Sequence, residues 1–149
     1  MEAGRVEGIF VTPEHGVLPA PLERVRAHAG RGLEGNRYLF EQAGPGKALT
    51  LIAAEALERL EAESGIVLSA AASRRNVLTR GIDVNALVGR SFRIGEVECV
   101  GVELCEPCSY LESLTVPGVL TGLVHQAGLY ADILDDGEIA VGDPVAVID

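Results

Sequence analysis

Basic residues are scarce in this chain, and their scarcity excludes whole classes of partner. Lysine occurs once, as Lys47, and lysine plus arginine number 12 against 22 acids, for a formal net charge of -10. A generic nucleic-acid or anionic-membrane binder needs a positive surface, so neither partner is expected. Long apolar runs are lacking as well. No stretch approaches the roughly 20 residues of a membrane span. The start, Met1-Glu2-Ala3-Gly4-Arg5, has no basic segment leading into an apolar one, so no signal peptide is read there. The expected compartment is the cytoplasm. Cysteine is sparse and odd in number: Cys99, Cys105 and Cys108. Without a leader, that count favours reduced thiols over a disulfide framework and leaves a Cys105–Cys108 bridge open.

What is present fits one globular domain spanning residues 1–149, since 48% of residues are apolar and 23% charged. The 18 glycines and seven prolines imply many short elements joined by tight turns. Residues 5–11 and 23–28 read as strands, the second by alternation, with residues 13–21 a loop between them. A glycine-rich charged loop follows, Gly30 to Tyr38. Residues 48–52 form a short strand running into a helix over 53–64, with Leu57 and Leu60 on one face, a Glu55–Arg59 pair at i,i+4, and Gly65 as left-handed cap. Residues 91–94 and 97–104 flank Gly95-Glu96 as a hairpin, and the inward parity of the longer strand switches near Gly101. A second hairpin is expected from 130–134 and 138–141 around Asp135-Asp136-Gly137, and 145–148 closes the chain. The expected fold is mainly β, barrel-like, with one or two helical insertions.

Two glycine motifs carry nucleotide-binding spelling without its context. Gly30-x-Gly32-x-x-Gly35 matches a dinucleotide fingerprint, but Gly44-Pro45-Gly46 follows too soon for the required long helix. Gly46-Lys47-Ala48 is no P-loop, because Glu41 stands at the leading glycine position and Ala48 at the magnesium-binding Ser/Thr.

Arginine is distributed unevenly. Between Ser69 and Gly95 five arginines (Arg74, Arg75, Arg80, Arg90 and Arg93) stand against one acid, Asp83. Guanidinium forks bind phosphate and carboxylate bidentately, and glycine backbone approaches an anion closely. Arg74 and Arg75 are therefore the leading anion-binding candidates, with Arg31 and Arg37 of the glycine loop able to join them. The bland alternative is a solvated basic face paired with surrounding acids.

Cys105-Glu106-Pro107-Cys108 is the reactive element. Pro107 ends a strand and opens a helix over 109–114, which puts Cys108 in a first turn where unpaired N–H groups favour the thiolate. A thiolate serves sulfur transfer or soft-metal ligation. A zinc site is not expected, because there is no second cysteine pair and His15, His28 and His125 lie far off. Cys99, within a strand, reads as inert core.

Four stretches in order resemble the MOSC family, named for the C-terminal domain of molybdenum cofactor sulfurase. They are Gly32-Leu33-Glu34-Gly35-Asn36-Arg37-Tyr38; Ser73-Arg74-Arg75-Asn76 running on to Gly89; Phe92-Arg93-Ile94-Gly95 through Cys105-Glu106-Pro107-Cys108; and Gly122 to Leu129 with Gly137 to Val145. The resemblance implies a site where a pterin-phosphate, the molybdenum cofactor (molybdopterin), meets a cysteine that carries sulfur or ligates molybdenum. Cys108 takes that position, and Arg74, Arg75 and Asn76 the central motif. Asn36 departs from the family, whose loop often has Asp there. Longer members carry a pyridoxal-phosphate domain. Covalent pyridoxal phosphate is not expected here, because Lys47 is the only lysine and lies in a Gly-Pro-Gly-Lys turn.

Two functional readings follow, and the sequence does not separate them. In one, Cys108 acts in sulfur transfer or in molybdenum-dependent reduction of N-hydroxylated compounds, with a sulfur donor or redox protein as partner. In the other, the chain is a non-catalytic carrier of the cofactor. A third is a scaffold whose fold persists and whose site has decayed, and it gains if Cys108 is buried in apolar core or lies on the opposite face from Arg74 and Arg75. The first two require Arg31 or Arg37, Arg74 or Arg75, and Cys108 to line one pocket, with the helix packed outside it.

Overall fold

A computed structural model describes residues 4–13, 17–36, 46, 48–105, 118, 122–123 and 126–148. Its described strands are β1 (Gly4–Val11), β2 (Ala20–Leu22), β3 (Arg24–His28), β4 (Gly32–Leu33), β5 (Leu49–Ala53), β6 (Val77–Arg80), β7 (Ser91–Ile94), β8 (Val97–Leu104), β9 (Leu129–Ile133), β10 (Gly137–Ala140) and β11 (Pro144–Val147). Helix α1 (Ala54–Ser64) joins β5 to the turn before β6, and a short 3-10 helix spans Val84–Leu87.

Seven strands close into a barrel in the order β1-β11-β7-β8-β9-β5-β6, with β6 returning to β1. Every neighbouring pair is antiparallel except β5 and β6, where Leu51 faces Val77 in parallel register. A parallel pair needs a long crossover, and α1 with the segment after it supplies one on the outside of the barrel. The mainly-β, barrel-like expectation is met. The small sheet β10-β3-β4 packs onto the barrel and adds Val25, Ala27, Leu33 and Ile139 to its core.

Irregularities let short strands fill that core. β1 shifts register between Val6 and Gly8, so Val6, Ile9 and Val11 all point inward despite their mixed parity. β8 shifts between Gly101 and Glu103, close to where the sequence pattern changes parity. Gly101 lies directly beneath the Leu87 carbonyl, and a Cβ there would collide with it. The Gly95-Glu96 hairpin forms as expected, with Ile94 opposite Val97 and Gly95 at φ 60°.

α1 caps as its sequence suggests: Gly65, at φ 74°, donates its N–H to the Glu61 carbonyl at 2.8 Å. Leu60 is buried and Leu57 half-buried, in a small second core with Leu68, Leu123 and Ala127. The expected Glu55–Arg59 pair is not formed. Glu55 Oε2 instead accepts the Gly81 N–H at 2.8 Å.

Other expectations fail for identifiable reasons. Ala20 and Pro21, the end of the expected loop, form edge strand β2 together with Leu22, with Pro21 opposite Phe10. An edge tolerates the missing proline donor. Gly32 and Leu33, inside the expected glycine loop, pair with β3 as β4. β9 and β10 are not a hairpin, since β9 pairs with β5 and β8, and β10 with β3. The intervening acids bind elsewhere: Asp135 Oδ2 accepts the Glu98 N–H at 3.1 Å, and Asp136 Oδ1 accepts the Ala29 N–H at 2.7 Å. Among the described residues, no helix is long and apolar enough to cross a membrane.

Candidate anion site at the Arg74–Arg75 turn

The turn before β6 is built from serine hydroxyls and tight backbone bonds. Ser69 Oγ accepts the Ala72 N–H at 3.1 Å, and the buried Ser73 hydroxyl donates to the Ala70 carbonyl at 2.6 Å. Arg74 then takes φ 64°, the only described non-glycine residue in the left-handed region. Such a backbone costs about 1–2 kcal/mol for a residue with a Cβ. It persists here because both sides are tied down, by Arg74 N–H to the Ala71 carbonyl at 3.0 Å and by Asn76.

Asn76 is a clamp between two strands. Its Oδ1 accepts from the Thr50 N–H and the Thr50 hydroxyl, both at 3.1 Å, and its Nδ2 donates to the Phe10 carbonyl at 3.1 Å. Its backbone N–H reaches Thr50 Oγ1 at 2.9 Å, and its carbonyl accepts the Phe10 N–H at 2.7 Å. Both ends of the buried amide are therefore engaged within the protein.

Arg74 and Arg75 are held by carbonyls rather than by acids. Arg74 Nη2 donates to the Val17 carbonyl at 2.8 Å, and Arg75 Nε donates to the Ala127 carbonyl at 2.7 Å. Among the described residues, neither has a carboxylate partner. A guanidinium carries five N–H donors, so each keeps most of its fork. Arg80 differs. It bonds Glu7 at 2.6 Å and Glu58 at 2.7 Å, and those carboxylates raise its pKa further while its own hydrogen bond lowers that of Glu58. Arg93 pairs with Glu98 at 3.7 Å, and Arg90 also has a partner. The bland reading thus fits Arg80 and Arg93, and the turn retains Arg74 and Arg75.

Two further elements converge on this end of the barrel. Gly128 follows Ala127, and its carbonyl accepts the Cys105 N–H at 2.8 Å, so the start of the Cys105-x-x-Cys108 segment is one residue removed from the Arg75 contact. The end of the glycine loop arrives from the other side: Asn36, buried, accepts the Thr12 N–H on Oδ1 at 2.9 Å, two residues past Phe10. Asn36 therefore braces β1, and a carboxylate would accept the same bond. Arg37, next in sequence, lies outside the described residues, as do Lys47, Cys108 and the expected helix over 109–114.

Arg31 is carried by a different pair of strands. It sits at the tip between β3 and β4, where Gly30 donates to the Ile133 carbonyl at 2.9 Å. Ile133 ends β9 and Leu129 begins it, a separation of about 14 Å at ~3.4 Å per residue. Cys99 is wholly buried, and burial, reinforced by Asp135, Glu98 and Asp132, pushes its thiol up to about 12. It is inert core, as its strand position suggested. Cys105 is buried as well. Among the described residues, no cluster of acids, histidines and cysteines has metal-binding geometry.

Residues 126–128 carry no site motif in the sequence. The signal available was Gly128, a lone glycine just before a strand. It adopts φ 114° and packs on the Leu51 carbonyl, where a Cβ would collide.

Comparison with known proteins gives a family and a fold. The MOSC domain matches residues 41–146. Among solved structures, the chain is similar to the YUAD protein from Bacillus subtilis (TM-score 0.80, 14% identity, covering 98% of this chain and 96% of that one). It is similar to YiiM from Geobacillus stearothermophilus (TM-score 0.78, 19% identity, 98% and 75% covered) and to YiiM from Escherichia coli (TM-score 0.71, 18% identity, 97% and 70% covered). At such identities these likenesses establish the fold alone. No curated protein sequence matches.

Proposed function

Since this chain belongs to the MOSC domain family, we propose that it binds the phosphate-bearing pterin of the molybdenum cofactor at the Arg74–Arg75 turn, with Cys108 as its reactive thiol. The observation that carries this reading is the contrast among the arginines. Arg80 and Arg93 are paired with carboxylates, whereas Arg74 and Arg75 touch only backbone carbonyls among the described residues. Two consecutive arginines, each with unused guanidinium donors, suit a phosphate. The residues present thus fit the anionic part of the cofactor.

In this reading Arg75 and Arg74 bind and orient the phosphate. Asn76 acts indirectly, by holding Arg75 against β1 and β5. Ala127 and Gly128 fasten Cys105 close to Arg75, and the reading requires Cys108, three residues on in the sequence, to reach the same end of the barrel. Cys108 supplies a thiolate for carrying sulfur or for ligating the metal. The bound cofactor would contribute the redox and sulfur chemistry of molybdenum.

Mass spectrometry of small molecules released from the chain, after expression in a cofactor-producing host, tests the proposal. A pterin-phosphate recovered from the wild type and reduced at least tenfold in Arg75→Gln is expected. Equal recovery from both, or none from either, overturns the reading. Reduction of an N-hydroxylated base or amidoxime by the loaded protein then separates turnover from carriage.

A further inference from the structure

A second site is suggested by two opposite charges that should neutralise each other and do not. Glu55 and Arg59 are one turn apart on α1 in the favourable order for an ion pair. Glu55 turns away to Gly81, leaving its Oε1 screened from solvent and without a hydrogen-bond donor, the only buried side-chain polar atom so placed among the described residues. Arg59, exposed and flanked by Glu55 and Glu63 at helical spacing, has no carboxylate or carbonyl partner among the described residues. A buried carboxylate oxygen left unpaired is costly, so such an atom calls for an explanation.

Both side chains line the same cleft. It has a volume of about 480 Å³ and opens between α1, the turn at Gly81–Asn85 and the segment 126–128. That volume is in the range of small-molecule sites. Ala53, Ala56, Ile82 and Val84 form an apolar part of its wall, and Gln126 adds a polar edge. The cleft is separate from the arginine turn, because Arg74 and Arg75 do not line it, although Ala127, which holds Arg75, lies between the lining residues Gln126 and Gly128.

We propose that this cleft binds a small zwitterion of amino-acid size, its ammonium group toward Glu55, its carboxylate toward Arg59 and its side chain on the apolar wall. An ammonium provides the donor that Glu55 Oε1 lacks, after a modest turn of the carboxylate about its soft terminal torsion. A carboxylate satisfies the Arg59 fork. A ligand with only one of the charges leaves the other protein charge unanswered.

The test is a titration of the full ¹⁵N-labelled chain with L-leucine, isopentylamine and 4-methylpentanoate, followed by amide shifts. L-Leucine should shift Ala56, Gly81 and Gln126 saturably, and each single-charge analogue should bind at least tenfold more weakly. Arg59→Gln, at an exposed position that leaves the fold intact, should weaken L-leucine tenfold or more. Glu55→Gln, whose amide oxygen can still accept from Gly81, should do the same. No saturable shift at millimolar L-leucine, equal binding of isopentylamine, or unchanged affinity in Arg59→Gln overturns the proposal.

Discussion

Arg75 donates from Nε to the carbonyl of Ala127 at 2.7 Å, across 52 positions of sequence. One residue later the Gly128 carbonyl accepts the Cys105 N–H. Arg75 and Cys105, which the sequence keeps far apart, are thereby fastened to the adjacent residues Ala127 and Gly128.

Phosphate affinity should depend on Arg74 and Arg75 and hardly at all on Arg93. A charge-assisted contact is worth about 1.5–3 kcal/mol, so Arg74→Gln and Arg75→Gln should each weaken a phosphate-bearing pterin by roughly tenfold or more. Arg93→Gln, which removes only an exposed pair with Glu98, should leave affinity within twofold. Calorimetric titration of the variants checks this, and equal affinity in all of them would reduce the pair to surface charge.

Replacing Asn76 by Ala should destabilise the barrel by about 2–3 kcal/mol, because the Thr50 N–H and Phe10 carbonyl lose their side-chain partner in a buried setting. Thermal unfolding should show a Tm lower by about 5–10 °C. A change near zero would mean that water replaces the clamp.

Gly128→Ala should be costly for two reasons together, a φ of 114° and a Cβ driven into the Leu51 carbonyl. A loss of about 2 kcal/mol or more is expected from urea unfolding. Because the same residue anchors Cys105, alkylation of the cysteine segment should also change in the surviving folded protein.

The thiols should differ in their response to pH. Cys99 is raised from an ordinary 9.0 to about 12 by burial, so it keeps its proton in the native chain while the unfolded chain has lost it. Its contribution to stability is intact below pH 9.0 and is lost as pH climbs toward about 12. Urea melts between these limits should fall less steeply for Cys99→Ala than for the wild type. The fast, low-pKa alkylation should belong to Cys108 and vanish in Cys108→Ser alone. Its persistence there would move the reactive thiol elsewhere.

The sequence by itself determined the β-rich barrel class, helix α1 with its Gly65 cap, the Gly95 hairpin, the inert core role of Cys99 and the family. These are local: alternation, a left-handed glycine and ordered motifs declare themselves within a few residues. Pairing partners were not local. β9 and β10 look like a hairpin until Asp135 and Asp136 bond to Glu98 and Ala29. Five arginines in one stretch look alike until Glu7, Glu58 and Glu98, brought in from other strands and from α1, neutralise Arg80 and Arg93. Glu55 and Arg59 look like a helical pair until folding presents Gly81 to the carboxylate. In each case a side chain with several admissible partners chose one that only barrel closure brings within reach. Charge and hydrogen-bond capacity are written in the chain, whereas their satisfaction is decided by which distant backbone groups the closed sheet places beside them.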